Sequence, residues 1–123
     1  MNAHVTDFYS GFEGEPEIRF TLKAPTGEER VLRLWEGYFE ELLERIDPVG
    51  GCWTGLALPY HLHEGWYEDA PWRVEDIEAI ARQWIDIVVA DLSTETQAVH
   101  AAVLGLLAQA AAEGDSELWI SRD

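Results

Sequence analysis

The chain has 123 residues, of which 47% are apolar, so it has the length and composition of one globular domain and not of a disordered chain. Its 24 acidic and 8 basic residues give a net charge of −16, which argues against direct binding of nucleic acid or of an anionic membrane surface. The acids are spread along the chain, since residues 1–47, 48–92 and 93–123 carry net charges of −6, −6 and −4. We therefore expect a single domain over 1–123 with a basic protein partner, although selection for solubility alone would give the same charge.

Three further features predict a cytoplasmic protein. Cys52 is the only cysteine, so no disulfide can form within the chain. The first seven residues, MNAHVTD, have neither the basic region nor the apolar run of a secretory signal. The longest uncharged stretch, residues 96–112, is shorter than a bilayer crossing needs and contains polar residues, so we expect it to be a buried helix.

Alternating apolar and polar residues predict a β-hairpin in the first third of the chain. Residues 17–24 place Ile18, Phe20 and Leu22 on one side, which is typical of a half-buried strand. The turn sequence Pro-Thr-Gly follows, and residues 30–35 resume the alternation. Residues 1–15 show no clear pattern and are expected to be irregular or a short edge strand, and residues 117–121 are expected to form a short closing strand.

Apolar residues then recur with helical spacing in three segments. Residues 36–46, 74–91 and 94–113 are predicted to be amphipathic helices. Ile87 and Val88 are expected to face inward at the end of the second helix, and Thr94 with Gln97 is expected to form a capping box for the third. The residues expected to be largely buried in the core are Ile77, Ile80, Trp84, Val103 and Leu107.

These elements predict an α+β fold. The N-terminal hairpin and the short C-terminal strand would form a small antiparallel sheet, with about three helices packed on one face.

The segment 49–72 is unusual because it combines aromatic residues, glycines and acids over 24 residues without regular periodicity. Aromatic anchors beside acids are typical of a surface that binds a basic protein. Trp53 is expected to fill the core, and Trp72 fits a core and a surface position equally well. The candidate partner-binding residues of this segment are Glu64, Trp66, Tyr67, Glu68 and Asp69.

A row of acids on the first helix gives a second candidate binding surface. Glu36, Glu40 and Glu44 have the i, i+4, i+8 spacing that places them on one helix face, expected to face solvent, with Glu41 alongside. Like charges at this spacing destabilise a helix by about 0.2–0.5 kcal/mol each, and only Arg45, four residues after Glu41, offsets them. Such a row is typical of a surface for a basic partner and equally of a solvated face in an acidic protein.

The sequence contains no motif for catalysis, for a nucleotide or for another cofactor. His61 and His63 would share one face of a strand, but zinc needs three or four ligands and no third residue has a suitable spacing. We therefore expect no metal site and no cofactor, and we expect Cys52 to be a small buried residue. The protein is not expected to be an enzyme.

In size, acidity, expected compartment and lack of motifs, the chain resembles bacterial immunity proteins, which neutralise a cognate toxin. The resemblance implies a one-to-one complex with a basic toxin, often a nuclease or another nucleic-acid-directed enzyme. Acidic residues of this chain would cover the active-site cleft of the toxin or an adjacent surface. The resemblance rests on this overall profile, so no site residue is transferred from it. Two alternatives are a small ligand-binding domain or enzyme that uses segment 49–72 as a pocket wall, and a homodimeric adaptor.

Overall fold

The computed structural model describes residues 3–46 and 71–122, and a β-hairpin forms the centre of its sheet. Strand β2 (Glu17–Lys23) pairs antiparallel with β3 (Glu29–Trp35), with Phe20 opposite Leu32. The chain turns between them at Gly27, whose φ of 92° lies in the left-handed region that glycine adopts without strain. The predicted hairpin is therefore confirmed.

Three more strands extend the hairpin into a five-stranded sheet with the order β1-β3-β2-β5-β4. Strand β1 (Ala3–Phe8) runs parallel to β3 at one edge. Strand β5 (Glu117–Arg122) pairs antiparallel with β2, and the two-residue β4 (Trp72–Arg73) pairs with β5. The α+β class is confirmed, but the sheet is larger than predicted and mixed, because the N-terminal segment adds a parallel edge strand.

Three helices pack on one face of this sheet: α1 (Glu36–Leu43), α2 (Ile77–Ile85) and α3 (Thr94–Ala112). The N-cap of α3 is Ser93, whose Oγ accepts a hydrogen bond from the backbone N–H of Thr96 at 3.2 Å. The cap therefore lies one residue before the predicted capping box. The Gln97 side chain donates backwards to the carbonyl of Leu92 instead.

Helix α2 is shorter than the predicted 74–91. Its last turn has the tighter 3₁₀ hydrogen bonding, because the N–H of Ile87 donates to the carbonyl of Trp84, three residues back. This turn keeps Ile87 buried but leaves Val88 67% exposed, so the expectation that Val88 faces inward is wrong.

The core lies between the helices and the sheet. Ile80, Trp84, Val103 and Leu107 are buried as predicted, whereas Ile77 at the start of α2 is only partly buried. Trp84 contacts the ring of Phe39 from α1 at a centroid distance of 5.8 Å, which joins α1 and α2 at the centre. None of the three helices, in the part of the chain that the structure describes, has both the length and the apolar character that a bilayer crossing requires.

The opposite face of the sheet, which we call the outer sheet face, carries the alternate residues of the same strands. Residues directly opposite each other in neighbouring strands share a face, so the register defines this set. Its members include Glu17, Arg19, Thr21 and Lys23 of β2, Val31 and Arg33 of β3, Arg73 of β4, and Glu117, Trp119 and Ser121 of β5.

Candidate functional site

The acid row of α1, Glu36, Glu40 and Glu44, begins where the sheet ends, because α1 follows β3 with no connecting loop. Trp35 is both the last residue of β3 and the N-cap of α1. Glu36 and Glu40 lie within the helix, and Glu44 is its C-cap residue. The three acids have very different environments, since Glu36 is buried, Glu40 half-buried and Glu44 exposed. The expectation of a wholly solvent-facing row is therefore wrong at Glu36.

The burial of Glu36 is explained by an ion pair with Arg122. Arg122 lies opposite Ile18 in the sheet register and therefore on the helix side of β5, at the end of the sheet where α1 starts. Its guanidinium Nε donates to Glu36 Oε2, and the exposed fractions of the two side chains are 25% and 9%. Glu36 also lies in the first turn of α1, where the helix dipole favours a negative charge. The first acid of the row is therefore neutralised within the fold.

Glu40, one turn further along, is in a less favourable position. Partial burial is the largest cause that raises the pKa of Glu40, followed by its hydrogen bond with Glu36 and by the negative charges of Glu36 and Glu44. Together they raise this pKa to about 7, against which the charge of Arg122 has only a small effect. Near neutral pH, the carboxyl of Glu40 therefore exchanges between a protonated form and a charged form.

Arg45 does not neutralise the row. It makes two hydrogen bonds to Asp91, of 2.8 and 3.1 Å, and so connects the end of α1 to the segment before α3. This bond raises the pKa of Arg45 and lowers the pKa of Asp91, while Glu41 has only a minor effect on Arg45. Across the described ranges 3–46 and 71–122, no salt bridge involves Glu40 or Glu44.

An aromatic cluster lies at the same end of α1, and the sequence analysis did not find it. The rings of Phe12 and Trp35 stack at 4.4 Å, and Tyr38 meets both rings edge-on at 5.5 and 5.3 Å. All three side chains are only partly buried. A Cβ at Gly37 would overlap the six-membered ring of Trp35, so glycine at this position allows the cluster to form. Phe12 lies in a segment without periodicity, which is why no pattern indicated the cluster.

Two other polar clusters are satisfied within the fold. Glu17 accepts hydrogen bonds from Arg33 at 2.9 and 3.2 Å and from Arg19 at 3.0 Å. Burial would by itself raise the pKa of Glu17, but these two arginines outweigh it and leave the pKa lowered. His100 donates through Nε2 to the carbonyl of Trp84 at 2.8 Å, and the Trp84 indole N–H donates to the carbonyl of His100 at 3.0 Å. This reciprocal pair holds α2 against α3, so its role is structural.

The candidate residues of the 49–72 segment, Glu64, Trp66, Tyr67, Glu68 and Asp69, lie outside the described residues, as do Cys52, Trp53, His61 and His63. Trp72 is described, and it lies in β4 opposite Ile120, half-buried against the core. In the described ranges, no three His, Cys, Asp or Glu side chains come together in a way that could hold a metal ion. The structure therefore describes only the helix residues of the predicted partner-binding set.

Comparisons of the chain with protein-family models, with curated proteins and with solved structures found no match.

Proposed function

We propose that this chain is a binding protein that inhibits a basic partner, and that the acid row of α1 contacts that partner. The partner is proposed to be a bacterial toxin, a nuclease or another nucleic-acid-directed enzyme, so that the chain acts as an immunity protein. Its net charge of −16 would attract a basic domain at long range and accelerate association.

The proposal rests on one observation: only one of the three acids in the row has its charge neutralised by a basic side chain that the structure describes. Arg122 holds Glu36, whereas Glu40 and Glu44 have no salt bridge in the described part of the chain. Glu40 is half-buried beside two acids, so its charged form is disfavoured without a further cation. A lysine or arginine from a partner would supply that cation and form a charge-assisted hydrogen bond in a partly desolvated position.

The aromatic cluster would give the partner a second contact at the start of α1, on a different side of the helix from the acid row, since Tyr38 is two residues from both Glu36 and Glu40. Phe12, Trp35 and Tyr38 are partly exposed large rings at the end of α1 where Glu36 begins the row. Stacking already restricts their rotamers, so little conformational entropy is lost when a partner covers them. Rigid aromatic side chains are enriched among the residues that contribute most to protein–protein binding energy.

Binding through Glu40 would be coupled to its ionisation. A partner cation stabilises the carboxylate, so complex formation near neutral pH would release a proton from the fraction of Glu40 that is protonated. The affinity should accordingly rise as the pH increases through 7, and it should weaken with added salt because exposed charges are screened over about 8 Å at physiological ionic strength.

The proposal is tested with the purified product of the neighbouring reading frame, if that product is basic. Association kinetics over a salt series, the mass of the complex and the residual activity of the partner are measured together. We expect a one-to-one complex, an association rate that falls steeply with salt, and inhibition of the partner at equimolar ratio. Binding that is insensitive to salt, or a complex in which the partner keeps full activity, contradicts the proposal.

A further inference from the structure

The charge on the outer sheet face differs from that of the rest of the chain. Four of the eight basic residues lie on this face: Arg19, Lys23, Arg33 and Arg73. Arg19 and Arg33 bind Glu17, and Arg73 lies 3.8 Å from Glu117. The excess of acid that dominates the composition is therefore absent from this face, as far as the described residues define it.

A groove of about 350 Å³ lies on this face where β2, β5 and the residue before β4 meet. Among the residues that the structure describes, its lining comprises Arg19, Thr21, Lys23, Pro71, Trp119 and Ser121. None of these side chains is acidic, and all except Pro71 carry hydrogen-bond donors. The indole of Trp119 and the ring of Pro71 provide apolar surface beside those donors. The size is within the range of small-molecule sites.

Two details describe the environment of the Trp119 indole at the wall of the groove. The indole Nε1 is buried and finds no acceptor among the residues that the structure describes. The ammonium of Lys23 lies 5.6 Å from the centre of the Trp119 ring, in a cation–π arrangement that holds a positive charge over the groove wall. A negatively charged group in the groove would be attracted by this ammonium.

We propose that this groove binds a small organic oxyanion, a carboxylate or a phosphate attached to an apolar or aromatic body. Lys23 supplies the charge, and the hydroxyls of Thr21 and Ser121 donate to the anionic oxygens. The apolar body of the ligand packs against Trp119 and Pro71. This site is on the outer sheet face, whereas α1 packs on the opposite face, so it is independent of the proposed inhibitory surface.

The test follows the indole N–H signals of the protein by ¹⁵N NMR at low salt, with the Trp119 signal assigned from Trp119→Phe. The probes are benzoate, phenyl phosphate and the neutral benzyl alcohol. We expect a saturable shift of the Trp119 signal with at least one of the two anions and none with benzyl alcohol, because Trp119 lines the groove. The anion that gives the tighter titration identifies the preferred headgroup. Absence of a saturable shift with both anions, or an equal shift with benzyl alcohol, overturns the proposal.

Variants with matched charge locate the site. Lys23→Gln should weaken the binding of the anion about fivefold, as expected for an exposed charge interaction. Arg30→Gln makes the same change in net charge on the helix side of β3, where Arg30 lies opposite Leu22, and should leave the affinity within about twofold. Thr21→Val keeps the strand shape, removes one donor and should also weaken binding. Equal effects of Lys23→Gln and Arg30→Gln would mean that the anion senses only the total charge, which contradicts a built site.

Discussion

Arg122 and Glu36 form a partly buried ion pair although they lie 86 residues apart in the sequence. The pair joins the last residue of β5 to the first residue of α1 and so connects the C-terminal strand to the helix that follows the hairpin. It also divides the acid row into one neutralised member, Glu36, and two members, Glu40 and Glu44, that have no salt bridge in the described part of the chain.

Replacing Arg122 with Met should destabilise the fold, because Glu36 would lose its ion-pair partner in a position where only 9% of its side chain is exposed. We expect a loss of about 1–3 kcal/mol in the free energy of unfolding, less than for a fully buried pair, since Arg122 is itself partly exposed. Urea denaturation at pH 7 measures it. The double variant Arg122→Met/Glu36→Gln should recover part of the loss, and a double variant as unstable as the sum of the two single ones would contradict this assignment.

Glu40→Gln should stabilise the protein in a pH-dependent way. The folded pKa of Glu40 is about 7 and its ordinary value is 4.5, so between these values the folded chain holds a proton that the unfolded chain releases. Wild-type stability should therefore fall as the pH rises through this window. Gln imitates the protonated carboxyl at every pH, so the variant should be about as stable as wild type at pH 4.

At pH 8 we expect Glu40→Gln to be more stable than wild type by about 1 kcal/mol, after allowing for solvent screening of a half-buried group. Denaturant melts at both pH values measure the difference. Glu28→Gln is the control, since Glu28 is exposed at the hairpin turn and should give a small change that is equal at both pH values. An equal gain for Glu40→Gln at pH 4 and pH 8 would show that its carboxyl titrates normally.

Two glycines in helices should respond in opposite ways to alanine. At Gly37 the added methyl overlaps the Trp35 ring and should cost about 1–3 kcal/mol while displacing the Phe12–Trp35 stack. At Gly105 of α3 nothing lies within 4 Å of the new Cβ, so alanine should stabilise the helix by about 0.5–1 kcal/mol. Thermal unfolding and the near-ultraviolet circular dichroism of the aromatic cluster report both effects. A shift of the two melting temperatures in the same direction would be inconsistent with this packing.

Two valines test where the core ends. Val103 is fully buried, and Val103→Ala should destabilise the protein by about 1–4 kcal/mol. Val88 is 67% exposed, and Val88→Ala should stay within about 0.5 kcal/mol of wild type. The two variants remove the same atoms, so equal changes in the denaturation midpoint would contradict the finding that the core includes Val103 and excludes Val88.

Local patterns predicted those elements in which one face is buried. The alternation through Ile18, Phe20 and Leu22 defines β2 because its outer residues are polar. Strand β1 has no such contrast, since Val5 is 58% exposed and its polar neighbours are exposed too. Its pairing is stabilised by backbone hydrogen bonds with β3, which leave no apolar signature in the sequence.

Local patterns also predicted only part of the candidate site, as the acid row shows. The spacing of Glu36, Glu40 and Glu44 predicted a common helix face, but Glu36 is buried in an ion pair with Arg122, which the pairing of β5 with β2 brings to the start of α1. The groove beside Trp119 likewise combines residues from β2 and β5 that are about 100 positions apart in the chain. Contacts between such distant residues depend on the order of the strands in the sheet, and a local sequence pattern does not encode that order.

The central claim, that the α1 row contacts a basic partner, is tested most directly by two double variants with the same change in charge. Glu40→Gln/Glu44→Gln alters the row, whereas Glu28→Gln/Asp115→Asn alters exposed acids beyond the other end of β3. The dissociation constant for the basic product of the neighbouring reading frame is measured for both at pH 8, where Glu40 is charged. We expect the row variant to bind at least about tenfold more weakly and the control to stay within about threefold of wild type. Equal losses in the two variants, or no loss in either, would contradict the assignment of this surface.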